Sequence, residues 1–326
     1  MASPSSTFTE LVATTWRNHS KDVKDNLSKN NALYAYISKA GQTRIESGGL
    51  TITTPLDYNS NGTYQRYSGF DVLNVQQSDV VTAAEYQWRQ IALNIVASGL
   101  EMRVNNGDNQ IVKLVKARIK NAMRTFKNNF SVDLYGDGTL PNQINGLQAL
   151  VADTGTGVIG GIDSSTWGFW ANAVQSAAAP LQGGGAIVVS STTIESLMLA
   201  LWLNQVRGDD KPNLILSSND WFTFYELSQV SLKRYTGDSS HAEAAGGFTS
   251  LKYKSADVVF DGGSGIPAAH MYFLNTEYLE LVVHRDANLS VQDQMSPYNQ
   301  DAVVIPVLWM GNLSCTNRRL QGVMKA

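Results

Sequence analysis

The 326-residue chain carries one cysteine, Cys315, and only four histidines, set far apart at 19, 241, 270 and 284. A single thiol excludes an intrachain disulfide framework and any Cys-rich zinc site. The histidines show no HExxH-type spacing, so nothing in their pattern points to a metal. Long apolar runs are missing as well. The longest, such as Val303–Met310, fall far short of the ~18 residues that a membrane span needs. No basic stretch leading into an apolar one opens the sequence, so no secretory leader is expected. Charge is scarce too: Lys+Arg 25 and Asp+Glu 28 amount to 16%, against a usual ~25%. The net charge of −3 gives no general pull toward nucleic acid.

What is present suits a large folded protein. Hydrophobic residues make up 43% and aromatic residues 9%, which rules out disorder. The length predicts roughly two domains. Asparagine numbers 25, as many as all basic residues together. Two readings of the low charge follow. One is drift toward Ser, Thr and Asn on an ordinary surface. The other is a surface covered by further subunits, because interface cores are depleted in charged residues.

Residues 1–42 read as a polar arm with one short helix around Leu33, Tyr34, Tyr36 and Ile37. That is too little to fold alone, so the arm is expected to lie on something else. Residues 43–80 read as a long hairpin. Leu50, Ile52, Leu56 and Tyr58 alternate with polar positions in strand periodicity. Asn59-Ser60-Asn61-Gly62 supplies the turn, and Thr63–Asn74 is expected to run back. Pro55 marks an edge strand. A lone two-stranded hairpin is marginal in water, so this one needs a partner surface.

Residues 84–103 read as strand. Asn109–Ser131 is the strongest periodic segment: Ile111, Val115, Ile119, Ala122, Phe126 and Phe130 share one helical face. Lys113, Lys116, Lys120, Arg124 and Lys127 share the opposite face, with no acid between Asp108 and Asp133. A solvated face is the plain reading of this stripe. Five aligned cations repel one another, so the functional reading is a surface turned toward a polyanion.

Residues 145–270 read as mixed α/β, with Gly-rich loops between elements. Thr192-x-x-Glu195 has the spelling of a capping box, opening a helix through Ile194, Leu197, Leu201 and Trp202. Strand Leu214–Leu216 follows Pro212, and Ser218 is placed to cap a helix through Trp221, Phe222 and Leu227. A strand pair is expected at Ala256–Phe260 and Met271–Leu274. Leu279–Val283 and Asp301–Leu313 read as strands returning to the first domain.

Chemical motifs are thin. The spelling from Gly155 to Gly160 matches a dinucleotide fingerprint, yet Gly161-Ile-Asp-Ser-Ser follows where a helix should open. Asp261–Gly265 lacks the Lys-Ser/Thr of a phosphate loop and reads as a turn. Cys315 sits in an apolar strand as a small core residue, and Asp209-Asp210 reads as a solvated turn. No catalytic residue, metal ligand or cofactor is assigned.

The segments nevertheless have a recognisable order. An arm ends in NNALYAYI at 30–37, and a hairpin begins GGLTITTPL at 48–56. AEYQW at 84–88, the amphipathic helix, LYGDGT at 134–139 and INGLQALVAD at 144–153 follow. MYFLNTEYLELVVH at 271–284 and QDAVVIPVLWMGNLSCTNRRLQG at 300–322 close the chain. This order resembles the major capsid proteins of tailed bacteriophages, which share the Hong Kong 97 type fold, and it covers nearly the whole chain.

The resemblance implies an α+β fold with an N-terminal arm (1–42), an extended E-loop (43–80), a peripheral P-domain (81–144 and 281–326) carrying a long spine helix, and an axial A-domain (145–280). It implies a structural protein, not an enzyme, that assembles with itself as hexamers and pentamers of an icosahedral shell around double-stranded DNA in the virion. Leu56, Tyr58, Asn61, Tyr64, Arg66 and Tyr67 become candidate inter-subunit contacts. Lys113, Lys116, Lys120, Arg124 and Lys127 become a candidate lumen-facing stripe for non-specifically held DNA. A portal, a decoration protein and a separate scaffolding protein are the further expected partners, with no membrane; only about 42 residues precede the E-loop, where many members carry a longer scaffolding segment. Cross-linked members join an E-loop Lys to a neighbour's Asn, but residues 43–80 hold no Lys, so no such cross-link is expected. Two alternatives stand beside this: a bacterial nanocompartment shell of the same fold, and a carbohydrate-binding or hydrolytic protein stacking sugars on Trp167, Trp170, Trp202 or Trp221.

Overall fold

A computed structural model describes residues 31–104, 108–181, 186–236, 250–261 and 265–326. The first thirty residues, His19 among them, lie outside it, as do His241, Asn105–Gly107 and the centre of the Asp261–Gly265 turn. The architecture is α+β, built on two sheets that share one core.

Helix α1 (Ala32–Lys39) opens the described chain. Asn31 caps it, its Oδ1 accepting from Tyr34 N–H at 2.9 Å, which satisfies one of the helix's orphan donors. The Asn31 amide Nδ2 donates to Ser131 Oγ at 2.7 Å, and Ala32 N–H donates to Asp261 Oδ2 at 3.2 Å. Ala32, Leu33, Tyr36 and Ile37 are buried in the main core. The surface that this cluster needs is supplied, for residues 32–39, by the rest of the same chain and not by a neighbouring subunit.

Strand β1 (Thr43–Glu46) pairs parallel with β12 (Leu279–Val291). Strand β2 (Thr51–Asp57) pairs antiparallel with β3 (Val81–Gln87), Ile52 opposite Tyr86 and Pro55 opposite Ala83. The hairpin exists, but its return strand is 81–87, not Thr63–Asn74 as periodicity suggests. The turn chemistry at 59–62 does not close the hairpin; it begins a long excursion, and Tyr58 N–H donates to Val80 O across its neck at 3.0 Å.

The strand expected over 84–103 is three elements. β3 ends where Gln87 O accepts from Asn312 Nδ2 at 2.8 Å, so that carbonyl is satisfied by a side chain. The chain then changes sheet at Trp88, and β4 (Arg89–Ser98) pairs with β13 (Ala302–Cys315). Helix α2 (Gly99–Val104) follows, opened by a reciprocal capping box: Glu101 N–H donates to Ser98 Oγ, and Ser98 N–H donates to Glu101 Oε2. The four-stranded sheet runs β1-β12-β13-β4.

Helix α3 (Asp108–Leu134) lies on this sheet. Ile119 and Met123 pack with Ile95, Ile305 and Val307. Further along, Phe126 stacks on Phe130 at 5.3 Å and Phe130 meets Trp309 edge-on at 4.9 Å. Edge-to-face and offset contacts of this kind add to the area buried.

The second sheet has six strands, ordered β7-β14-β11-β8-β10-β9. They are β7 (Ala173–Gln175), β8 (Leu214–Ser217), β9 (Ser250–Tyr253), β10 (Ala256–Phe260), β11 (His270–Leu274) and β14 (Gly322–Lys325). β10 and β11 do not pair with each other as expected; they flank β8, parallel and antiparallel to it. β14 brings the end of the chain back into this sheet, between β7 and β11.

Short helix α4 (Leu147–Leu150) precedes β7, and helices α5 (Ile194–Gln205) and α6 (Asn219–Thr236) flank β8 in sequence. The capping box expected at Thr192 does not form: the N-cap is Thr193, with no side-chain cap bond. Glu195 instead accepts from Ser228 Oγ at 3.0 Å and Gln229 Nε2 at 2.5 Å. Ser218 precedes α6 without capping it through its hydroxyl, which is buried with no hydrogen-bond partner among the described residues.

Where the sheets meet, Arg318 is fully buried. Its guanidinium donates to Leu150 O at 2.8 Å, Trp170 O at 3.0 Å and Asn172 Oδ1 at 3.1 Å. These three neutral acceptors satisfy a cation that would otherwise be costly to bury. Nearby, Tyr86 OH donates to Cys315 O at 3.0 Å and accepts from Cys315 N–H at 3.3 Å, tying the hairpin to β13.

Candidate assembly surfaces

Residues 58–80 leave the body of the protein as one ordered loop. Gln65 braces its far end, Nε2 donating to Val72 O and Oε1 accepting from Asn74 N–H, both at 3.0 Å. Asn74 Nδ2 reaches back to Gly62 O at 3.3 Å, and Asn61 Oδ1 accepts from Thr63 N–H and Oγ–H. The tip turns between Ser68 and Asp71, where Ser68 N–H donates to Asp71 Oδ2 at 2.8 Å.

These polar bonds hold a loop whose large apolar side chains face water. Tyr64 is 83% exposed, Val72 91%, Val75 89%, and Phe70 fully. So many exposed apolar groups in sequence exceed the scattered apolar residues normal on a monomer surface. Of the candidate contacts, Leu56 is buried in the hairpin and Tyr58 half-buried at the loop's root; Asn61, Tyr64, Arg66 and Tyr67 are exposed on the loop.

On α3 the side opposite the sheet is basic. Lys120 and Arg124 are exposed, and Lys127 is half-buried. Partial burial holds the Lys127 ammonium below its ordinary range. The side chains of Lys113 and Lys116 lie outside the described residues. Arg118, off the stripe, is held by Glu101 at 2.6 Å. The Ser98 amide, and then Arg118, keep that carboxyl below its usual range.

Among the described residues, no three His, Cys, Asp or Glu side chains converge as a metal site would require. His270 Nε2 lies 3.0 Å from Asp153 Oδ2, with Lys325 Nζ at 3.5 Å from the same oxygen. Cys315 is buried, and burial pushes its thiol up to about 12. A nucleophile needs the opposite shift. The Gly155–Gly160 spelling belongs to a small hairpin, β5 (Val158–Ile159) with β6 (Ile162–Asp163), turned by Gly160 and Gly161 at φ 61 and 76. Trp170, Trp202 and Trp221 are buried, which removes them as sugar platforms; Trp167 alone of the four is exposed, by 49%.

No protein-family model matches the chain, and no curated protein matches it in sequence. Solved structures do match in shape. A chain of the cyanophage A-1(L) capsid asymmetric unit aligns with a TM-score of 0.61 at 14% identity, covering 93% of this chain and 92% of that one. A chain of Mycobacterium phage Bobi aligns at 0.53 and 8%, covering 88% and 89%. The capsid of a native GTA particle aligns at 0.52 and 11%, covering 89% of each chain. The chain has the Hong Kong 97 type capsid fold.

Proposed function

We propose that this chain is the major capsid protein of a tailed bacteriophage, which assembles with itself into an icosahedral head enclosing double-stranded DNA. The observation that carries this reading is the apolar loop at 58–80, left uncovered by the described residues of a chain whose fold is that of capsid subunits. Burying such a surface releases about 25 cal/mol per Å². Repetition around closed symmetry then covers every copy. The role is structural, and no residue need act chemically.

On this reading the loop with its hairpin is the E-loop, and the four-stranded sheet with α3 is the P-domain. The six-stranded sheet is the A-domain, and it includes the final strand β14. Lys120 and Arg124, with Lys113, Lys116 and Lys127 on the same helical face, turn toward the lumen and attract the packaged duplex weakly. The modest charge suits DNA that must later leave, since phosphate neutralisation governs affinity. A scaffolding protein, portal and decoration protein are its partners, and assembly takes place in the host cytoplasm. Electron microscopy of the chain co-expressed with its scaffolding protein tests this. Closed shells that take up DNA are expected. Monomers throughout contradict the reading, and shells filled with a cargo protein would make it a compartment.

A further inference from the structure

At the root of the exposed loop lies a cleft of about 570 Å³ with an unusual lining. Three rings meet there. Tyr58 packs edge-on to Trp167 at 5.6 Å and tilted to Phe169 at 5.7 Å, and Trp167 meets Phe169 at 6.5 Å. Asp79 and Asp163 line the cleft with them, and no Lys, Arg or His does. Two carboxylates and three aromatic rings lining one cleft suit an organic cation, because ring quadrupole and formal charge act in the same direction. The lining is also preformed: Trp167 N–H is held by Asp163 O at 2.9 Å and Ser165 N–H by Asp163 Oδ1 at 2.9 Å.

The same chain carries a matching group at the other end of the loop. Arg66 is the one cation between Tyr58 and Val80. It is exposed, and no described residue gives it an ion pair or lies beneath it as a cation–π partner. Its neighbour Gln65 is fixed by both of its amide bonds, so the tip presents Arg66 from a braced backbone. Guanidinium is the cation best suited to stack on indole while bonding a carboxylate. Donor at the tip and receptor at the root make a head-to-tail link, which generates a ring when the rotation closes.

We propose that Arg66 of one copy seats in the Tyr58–Trp167–Phe169 cleft of a second copy, against Asp163 and Asp79. The proposal deepens the reading of the chain as a self-assembling subunit and rests on it. The test is a charge swap read by sedimentation of the co-expressed chain. Arg66→Asp and Asp163→Arg are each expected to cut the assembled fraction about tenfold, and the double swap to restore most of it. Trp167→Leu should act like the singles, with no more than a small fall in the melting temperature of the free chain, because the ring is half exposed and, among the described rings, packs only on Tyr58 and Phe169. Singles that assemble like the parent, or a double swap no better than either single, overturn the link while the shell reading stands. If the parent itself forms no particles, the shell reading fails. The cleft is then judged by calorimetry, with a synthetic peptide of residues 61–74 titrated into the full chain. Heat that disappears with Asp163→Arg supports it, and no heat overturns it.

Discussion

Helix α1 and the loop at 58–80 make an instructive pair. Both are apolar-bearing segments of the first eighty residues, one inside the N-terminal arm and one between β2 and β3, and both look unsupported in sequence. The helix puts Leu33, Tyr36 and Ile37 at helical spacing on one face, with Asn31 and Asp261 satisfying its first amides. Its apolar face is therefore covered by its own chain. The loop spreads Tyr64, Phe70, Val72 and Val75 irregularly over a backbone pinned by Gln65 and Asn74, and none of the described residues covers these side chains. A segment that needs cover finds it internally when its pattern matches a periodic element. An ordered segment without that pattern is left uncovered by the described residues of its own chain, as the proposed shell contact requires.

The contrast can be broken most sharply in the core. Phe130→Ala removes the ring between Phe126 and Trp309 and should cost about 3–5 kcal/mol, lowering the urea midpoint of the free chain. Arg318→Met leaves three buried carbonyl acceptors without a donor and should cost about 3 kcal/mol. A midpoint that stays in place for either variant contradicts the packing described.

Phe70→Ser gives the opposite pattern. It should move free-chain stability by less than about 0.5 kcal/mol, yet sharply lower the yield of particles. A loss of monomer stability would mean that the loop is covered from within.

Alkaline pH probes the covered side more gently. Burial pushes the Cys315 thiol up to about 12 and raises the Tyr86 and Tyr272 hydroxyls as well. The folded chain keeps protons there that the unfolded chain gives up. The stability they contribute is full below the ordinary thiol value and is lost as pH climbs through the folded one. Thiol reagents should leave Cys315 unmodified at pH 8 until denaturant is added; ready labelling in the native state speaks against the buried site. The smallest expected effect is on gels. Boiled particles should run as a single monomer band, since residues 43–80 offer no Lys for a cross-link, and a ladder refutes that.

Much of this was legible in residue order. The amphipathic face of α3 and the strands at 256–260, 271–274 and 302–315 stand close to where periodicity puts them. The errors share one cause: local spelling competes with tertiary partners. Thr192-x-x-Glu195 reads as a capping box, but Ser228 and Gln229 take the glutamate. Ser98-x-x-Glu101 has the same spelling and does form one. The return strand stands at 81–87 and not at 63–74, because turn chemistry at Asn61-Gly62 serves a loop as well as a hairpin. Arg318 carries no periodic signal at all, since its partners are backbone carbonyls at 150 and 170. The cleft at Trp167 draws on three separate segments, so only the fold assembles it.

Amide hydrogen exchange, compared between the free chain and assembled particles, tests the central claim most directly. Residues 58–80 should exchange rapidly in the free chain, apart from their few bonded amides, and become protected on assembly, while residues 119–134 stay protected in both. Equal exchange at 58–80 in the two states would contradict the loop as an interface between copies.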